Sequence, residues 1–301
     1  MIFERIKKTI FLLSFVCSPA LLFGAGTAAV PKTVITGDKM TIQKSGDIVL
    51  FEGNAKAVRG QDSVTADKVI QNKPLKIIDA YGDIYFEGVT QEGFPVKAKA
   101  QKASYDQNTD IASLSGERPW ISYNNLDSST LIDLTADKIS VDNKEKTVEA
   151  TGNVYVKTIR QDDSPIYAKS QNVFYNAETQ IGELKGARPE LEYYIKSSDS
   201  PVQLTSDKID VFYKGGQIKA YGDVEIVTSS ATILSPNALI YRENQKAVMF
   251  KEQETQPEVY AKDKNQDAYY KADKITVLME EKVVHMKGNV IGKINVQDED
   301  K

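Results

Sequence analysis

Few side chains in this sequence could perform chemistry, and histidine is the scarcest of them. A Ser-His-Asp triad needs an imidazole, and the 301 residues contain one histidine, His285. Nothing near His285 resembles a nucleophile elbow, so we interpret it as a surface residue. One histidine also cannot form a histidine metal cluster, but the sequence does not exclude a metal site made only of carboxylates.

A pair of carboxylates is the other arrangement that could support catalysis. Asp162 and Asp163 could act together in a glycosidase or lyase built on a β-solenoid. Adjacent acids in a polar loop are more simply solvated, and Trp120 beside Pro119 is more simply a packing residue than a sugar platform. We therefore predict no enzyme, no catalytic or metal-binding residue and no cofactor.

Two short elements recur along the chain. The first is an Asp-Lys pair, found at Asp38-Lys39, Asp67-Lys68, Asp137-Lys138, Asp207-Lys208 and Asp273-Lys274. The second alternates apolar and other residues around Gly followed by Asn or Asp, and its copies begin at Val49, Ile78, Val148, Ile218 and Val284. Five equivalent Asp-Lys pairs indicate a structural role, most simply at turns or strand starts, and not five active sites.

The spacing of these elements predicts a repeat architecture. Asp67, Asp137 and Asp207 are 70 residues apart, and GERP (116–119) and GARP (186–189) share that period. A weaker half-period of about 35 residues is also visible. We predict one continuous stack of long units over residues 30–296.

Each glycine element has the period-2 alternation of a β-strand with one apolar face. The candidate lining of that face comprises Val49, Phe51, Ala55, Ile78, Ala80, Ile84, Phe86, Val148, Ala150, Val154, Val156, Ile218, Ala220, Val224, Ile226, Val284, Met286 and Val290. The central glycine falls on the apolar side by count and predicts a bend at the same level of every strand. Two such apolar faces could pack on each other, or the small residues among them could leave room for a ligand. The alternation alone does not distinguish these two possibilities.

The N-terminal residues are typical of a secretory signal. Basic residues precede an apolar stretch from Ile10 to Phe23, and small residues follow. The stretch is shorter than the roughly 20 apolar residues of a spanning helix. We predict a signal peptide over residues 1–29, with an uncleaved inner-membrane anchor as the alternative, and a short acidic tail over residues 297–301.

Charge and cysteine content exclude further classes. The formal net charge is −4, and the predicted signal is basic, so the remainder is more acidic still. An acidic chain lacks the basic face of a general nucleic-acid binder. The one cysteine, Cys17, lies in the predicted signal, so the exported part would have no disulfide and no thiolate zinc site.

The ordered elements resemble the OstA-like lipopolysaccharide-transport family. The resemblance rests on the export signal, on Asp-Lys before an apolar strand with the glycine element about 15 residues later, as in ADKISVDNKEKTVEATGNVYV (136–156), and on LSGERP (114–119) and LKGARP (184–189). It covers roughly residues 34–294, and the ordered recurrence is more specific than any one motif.

The resemblance implies an all-β fold, an elongated antiparallel β-jellyroll folded like a taco. It implies a periplasmic carrier whose apolar groove shields the lipid A acyl chains of lipopolysaccharide. It further implies end-to-end strand pairing with inner-membrane-anchored and outer-membrane components of the pathway, and it allows a head-to-tail homo-oligomer. Two alternatives stay open, an exported structural or adhesive β-solenoid with a dry core and a membrane-anchored component of the same pathway.

Overall fold

The chain is almost entirely β-structure. The computed structural model describes residues 34–90, 93–126, 129–160, 165–194, 200–213, 215–263, 266–281 and 283–296. These residues form 24 β-strands and one short 3-10 helix, and none of them lies in an α-helix. The pairings described residue by residue are antiparallel, so the predicted all-β antiparallel class is confirmed. The predicted signal, the acidic tail and the Asp162-Asp163 pair lie outside the described residues.

Two compact units divide the chain, the first ending at Gly152 and the second beginning at Asn153. The single continuous domain stays a prediction. The strands of the first unit are β1 (Val34–Thr36), β2 (Lys39–Gln43), β3 (Ile48–Arg59), β4 (Asp62–Asn72), β5 (Ile77–Val89), β6 (Pro95–Asp106), β7 (Ile111–Ser115), β8 (Trp120–Asn125), β9 (Thr130–Thr135) and β10 (Lys138–Asp142), and the unit boundary falls within β11 (Thr147–Arg160). The 3-10 helix spans Lys44–Gly46.

A four-strand meander, β3 to β6, is the centre of the first unit. Beyond it, one long strand pairs with two short ones. One end of β6 pairs with β7 and the other with β8, and the chain between the two short strands is the GERP element. The element interrupts a strand at the level where its long neighbours are bent.

The second unit continues with β12 (Ile166–Asn176), β13 (Ile181–Lys185), β14 (Glu190–Tyr194), β15 (Pro201–Thr205), β16 (Lys208–Phe212), β17 (Gln217–Val227), β18 (Ala231–Tyr241), β19 (Lys246–Phe250), β20 (Glu258–Asp263), β21 (Gln266–Lys271), β22 (Lys274–Leu278), β23 (Val283–Lys287) and β24 (Ile291–Val296). The strand pairings of this unit follow the same pattern as those of the first unit. Strand β17 pairs with the short strands β15 and β16, and β18 pairs with β19 and β20.

Residues 237–250 have helix-forming composition, yet β18 and β19 form a hairpin because each contributes side chains to a buried apolar face. The prediction that Asp-Lys pairs mark strand starts is confirmed for four of the five, since Lys39, Lys138, Lys208 and Lys274 are each the first residue of a strand. The fifth pair, Asp67-Lys68, lies inside β4.

Each unit also has an open edge. Among the described pairings of the first unit, β1 and β2 pair only with β3. Among those of the second unit, β23 pairs only with β22, and β24 pairs only with β21. The outer backbone groups of these strands are therefore available to a further strand.

Candidate functional site

The two repeated elements of the sequence meet in space. At each glycine an added Cβ would lie within 2.5 Å of the Asp Oδ2 of the Asp-Lys pair that precedes it by 15 residues, as for Asp137 and Gly152 at 2.2 Å. The backbone N–H of Asp137 also donates to the carbonyl of Gly152, at 2.9 Å. The same close approach of carboxylate to glycine joins Asp38 to Gly53, Asp67 to Gly82, Asp207 to Gly222, and Asp273 to Gly288.

This contact accompanies a register shift in the sheet. Between Tyr81 and Ile84, strand β5 has one more residue than its partner β6, which is a β-bulge and bends the strand. Gly82 has a φ of +92°, which an L side chain rarely adopts. The bulge and the left-handed glycine together account for the expected bend of β5 at this level.

One detail of the sequence interpretation needs correction. The glycine was expected to face the apolar side, whereas the α-carbon of Gly82 faces the carboxylate of Asp67, which is exposed to solvent. The left-handed conformation turns the chain at this point, so simple counting by two does not give the side on which the glycine lies.

Mostly apolar residues form rows that cross the strands of the first unit, buried in the middle of the sheet and exposed toward the edge strand β2. The Ala80 row consists of Met40, Phe51, Val69, Ala80, Ala103, Leu114, Ile139 and Ala150. The Ile78 row consists of Ile42, Val49, Gln71, Ile78, Tyr105, Ala112, Val141 and Val148. On the other side of the bend, the Phe86 row consists of Ile35, Ala57, Val64, Phe86, Ala98, Ile121 and Leu134.

The second unit has matching rows. The Ala220 row consists of Val173, Leu184, Ile209, Ala220, Ala238, Met249, Ile275 and Met286. The Ile218 row consists of Tyr175, Gly182, Val211, Ile218, Ile240, Ala247, Val277 and Val284. Beyond the bend, the Ile226 row consists of Ala168, Leu191, Leu204, Ile226, Ile233, Val259, Tyr270 and Gly292.

The structure places most of the predicted lining residues on this buried face. Those that are buried are Ala55, Ile78, Ala80, Ile84, Phe86, Ala150, Val154, Ile218, Ala220, Val224 and Ile226. Those that are half-buried are Val49, Phe51, Val148, Val156 and Met286. Val284 is 46% exposed at the edge strand β23, and Val290 is 54% exposed between β23 and β24. Their role in lining a lipid groove stays a prediction.

Polar side chains lie beyond the apolar rows of the second unit, at the ends of the strands that are farthest from the bend. We call Thr158, Tyr193, Tyr213 and Arg242 the rim cluster. Each lies two positions after an apolar residue that belongs to the core or packs against it, namely Val156, Leu191, Val211 and Ile240, so its side chain continues the buried face. Arg242 interacts electrostatically with both tyrosines, and Thr158 hydrogen-bonds to Tyr213. Burial raises the pKa of Tyr193 and of Tyr213.

A comparable margin of the first unit has its own polar contacts. The Tyr105 hydroxyl donates to Asp110 Oδ1 at 2.7 Å, and the amide of Asn143 donates to the same oxygen at 3.0 Å. Burial and the Asp110 hydrogen bond raise the pKa of Tyr105, and Arg59 acts in the opposite direction. No local sequence pattern marks either margin, because each draws side chains from different strands; Asn143, for example, is 33 positions from Asp110.

The remaining sequence candidates lie away from the buried faces. His285 is exposed on β23, as interpreted from the sequence. Trp120 is half-buried at the start of β8, and Lys99 Nζ lies 5.9 Å from its ring centroid. Within the described ranges, no three His, Cys, Asp or Glu side chains are grouped as metal ligands. No helix in those ranges has the length and apolar character needed to cross a membrane.

Comparison with known proteins identifies the family. The family described as "LptA/(LptD N-terminal domain) LPS transport protein" matches residues 34–125 and 131–199. The lipopolysaccharide export system protein LptA of Escherichia coli K12 is 27% identical over 128 residues, which cover 37% of this chain and 67% of that protein. The Shigella flexneri protein of the same name gives the same figures.

A solved structure is also similar over part of the chain. It is LptH of Pseudomonas aeruginosa, titled the LptA homologous periplasmic component of the lipopolysaccharide transport device. Its identity is 11% and its TM-score 0.30, covering 55% of this chain and 96% of LptH. The family match spans more than half of the sequence, and the chain therefore belongs to the LptA/LptD N-terminal lipopolysaccharide-transport family.

Proposed function

We propose that this protein is a periplasmic carrier that shields the acyl chains of lipopolysaccharide between the inner and outer membranes. Family membership supports the ligand class. One structural observation carries the mechanism, since the buried rows remain mostly apolar across successive strands and continue to the open edges. A lipid held against such a row meets similar surroundings at each strand, which favours movement along the row with small barriers.

The physical need for a continuous lining follows from the ligand. Each methylene removed from water is worth about 0.8 kcal/mol, so an acyl chain of about a dozen carbons resists transfer into water by roughly 10 kcal/mol. A lipid with several such chains would cross an aqueous compartment too slowly without an apolar path. The rows provide an apolar surface of the kind that such a path needs.

The open edges support assembly into a longer path. Exposure within the Ile78 row rises from 8% at Ile78 to 58% at Ile42 on β2. In the Ile218 row it rises from 1% at Ile218 to 46% at Val284 on β23. A partner that added strands at either edge would cover these side chains and extend the rows. Membrane-anchored and outer-membrane components of the pathway, or further copies of this chain, are the partners that fit.

A dry structural core is the second candidate, and one observation favours it. Ile209, Met249 and Ile275 are each 0% exposed in the Ala220 row of the second unit. Such burial is the usual state of a packed interior. A carrier requires these side chains to give way when lipid enters, whereas a scaffold requires them to stay in contact.

Retention of lipid by the purified chain separates the two candidates. The immobilised protein is incubated with lipopolysaccharide and, separately, with lipopolysaccharide from which the acyl chains have been removed. We expect the acylated form to be retained and the deacylated form to pass through. Equal retention of both forms, or retention of neither by the folded protein, would contradict the carrier function.

A further inference from the structure

The rim cluster contains a buried hydroxyl group, that of Tyr193, whose hydrogen-bonding capacity is not satisfied within the described part of the chain. Tyr193 is 4% exposed, and within the part of the chain that the structure describes its hydroxyl is buried without a hydrogen-bond partner. A buried donor left unsatisfied costs free energy. An acceptor oxygen from a ligand would remove that cost.

Arg242 is the cationic member of the rim cluster. Arg242 is half-buried and is the charged group that acts on both Tyr193 and Tyr213. A guanidinium beside hydroxyl donors is the usual protein environment of a phosphate, because charge and directed hydrogen bonds act on the same oxygens. The cluster thus has donors and a positive charge at the end of apolar rows.

The cluster is also accessible from solvent. Tyr213 is 43% exposed, and Arg242 is half-buried. A ligand group could therefore reach both side chains without unfolding the unit.

The first unit contains a contrasting tyrosine, which is a member of its Ile78 row. The Tyr105 hydroxyl donates to the carboxylate of Asp110, at 2.7 Å, so its hydrogen-bonding requirement is met within the protein. Tyr105 therefore serves as a control for Tyr193.

We propose that Arg242, Tyr193 and Tyr213 bind a phosphate group on the lipid whose acyl chains lie against the Ile218 and Ile226 rows. This inference rests on the proposed function, which it deepens by assigning the headgroup contact. The lipid would be oriented with its phosphate at the rim and its chains toward the bend. A free phosphate ion offers the same oxygens, so the source of the phosphate must be tested.

The test compares bisphosphorylated lipid A with fully dephosphorylated lipid A on the full-length protein. For the wild type we expect dephosphorylation to weaken binding about tenfold, the effect of losing a charge-assisted hydrogen bond. Arg242→Gln should weaken binding of the phosphorylated lipid to a similar extent and leave binding of the dephosphorylated lipid within about twofold. The matched variant Arg59→Gln, at the margin of the first unit, should change neither.

Tyrosine variants give an independent readout. Tyr193→Phe removes the unsatisfied hydroxyl, so the empty protein should melt at the same or a higher temperature while its affinity for the phosphorylated lipid falls. Tyr105→Phe removes a made hydrogen bond and should lower the melting temperature without changing lipid affinity. A purely structural role for Tyr193 would lower its melting temperature and leave affinity unchanged, which would overturn the proposal.

Three further outcomes are decisive. If Arg242→Gln weakens both lipids equally, or neither, the phosphate assignment is wrong while the carrier function stands. If millimolar inorganic phosphate displaces the lipid phosphate from the wild type, the site is one for free phosphate, and the lipid assignment is wrong. If the folded wild type binds neither lipid, the carrier function itself fails.

Discussion

The carboxylate of Asp67 lies against the α-carbon of Gly82, so close that a Cβ on Gly82 would be 2.0 Å from Asp67 Oδ2. The contact lies at the bulge between β4 and β5, where the buried side chains pass from the Ala80 row to the Phe86 row. The Asp-Lys and glycine elements are therefore two halves of one structural unit, repeated along the chain.

Gly82→Ala should be strongly destabilising. The substitution combines a positive φ of +92° with a clash against Asp67, and we expect a loss of about 3 kcal/mol in the free energy of unfolding. Gly46→Ala is the matched control, because its φ is +105° and nothing lies within 4 Å of the added Cβ. That variant should lose about 1 kcal/mol. Equal losses in urea denaturation would show that the Asp contact is not what requires glycine.

Stability should fall at alkaline pH because of the buried tyrosines. Burial raises the pKa of Tyr193 above its usual value near 10, so the folded state holds a proton that the unfolded state releases. The stabilisation is complete below pH 10 and is lost as the pH rises above it, by up to about 1.4 kcal/mol per pH unit for one such group.

Thermal melts between pH 8 and pH 11 would check this. Tyr193→Phe should show a shallower decline than the wild type, and Tyr194→Phe, which changes the next residue on the strand, should serve as the control. Parallel curves for the wild type and Tyr193→Phe would mean that the hydroxyl of Tyr193 is not held in a protonated, buried state.

The open edge of the first unit should mediate association. Ile42 on β2 is 58% exposed, and Leu75 in the β4–β5 turn is 57% exposed. Ile42→Lys places a charge where an added strand would pack and should weaken self-association at least tenfold, as measured by sedimentation velocity. Leu75→Lys changes a side chain of equal exposure away from the edge and should leave association unchanged. Two variants with the same effect would mean that the edge is not the contact.

Much of the fold could be predicted from the sequence because its signals are local. Period-2 alternation around Gly152 is a property of nine consecutive residues and gives the strand and its apolar side on either side of the bend. The fixed offset of 15 residues between Asp137 and Gly152 was visible as well, and its recurrence was the available signal that the two elements touch.

The rest depended on relationships that no local pattern contains. In strands that lack the glycine, such as β4, the buried positions switch between even and odd residue numbers at the bend. Ala66 and Val69 are therefore both buried although they are three residues apart. The extra residue that explains this lies on the neighbouring strand. The rim cluster is harder still to predict from the sequence, because Thr158 and Arg242 are 84 positions apart in the numbering and are brought together only by the folded sheet.

Photo-crosslinking at two neighbouring residues of β5 tests the carrier account most directly. Phe86 is 4% exposed in the Phe86 row, whereas Tyr85 lies on the opposite face with Lys99 Nζ 5.8 Å from its ring centroid. Benzoylphenylalanine replaces an aromatic ring in either case, and adducts formed in cells are probed for lipopolysaccharide. The account predicts adducts at position 86 and few at position 85. Adducts at position 85 alone, or none at either position in a folded and exported protein, would contradict it.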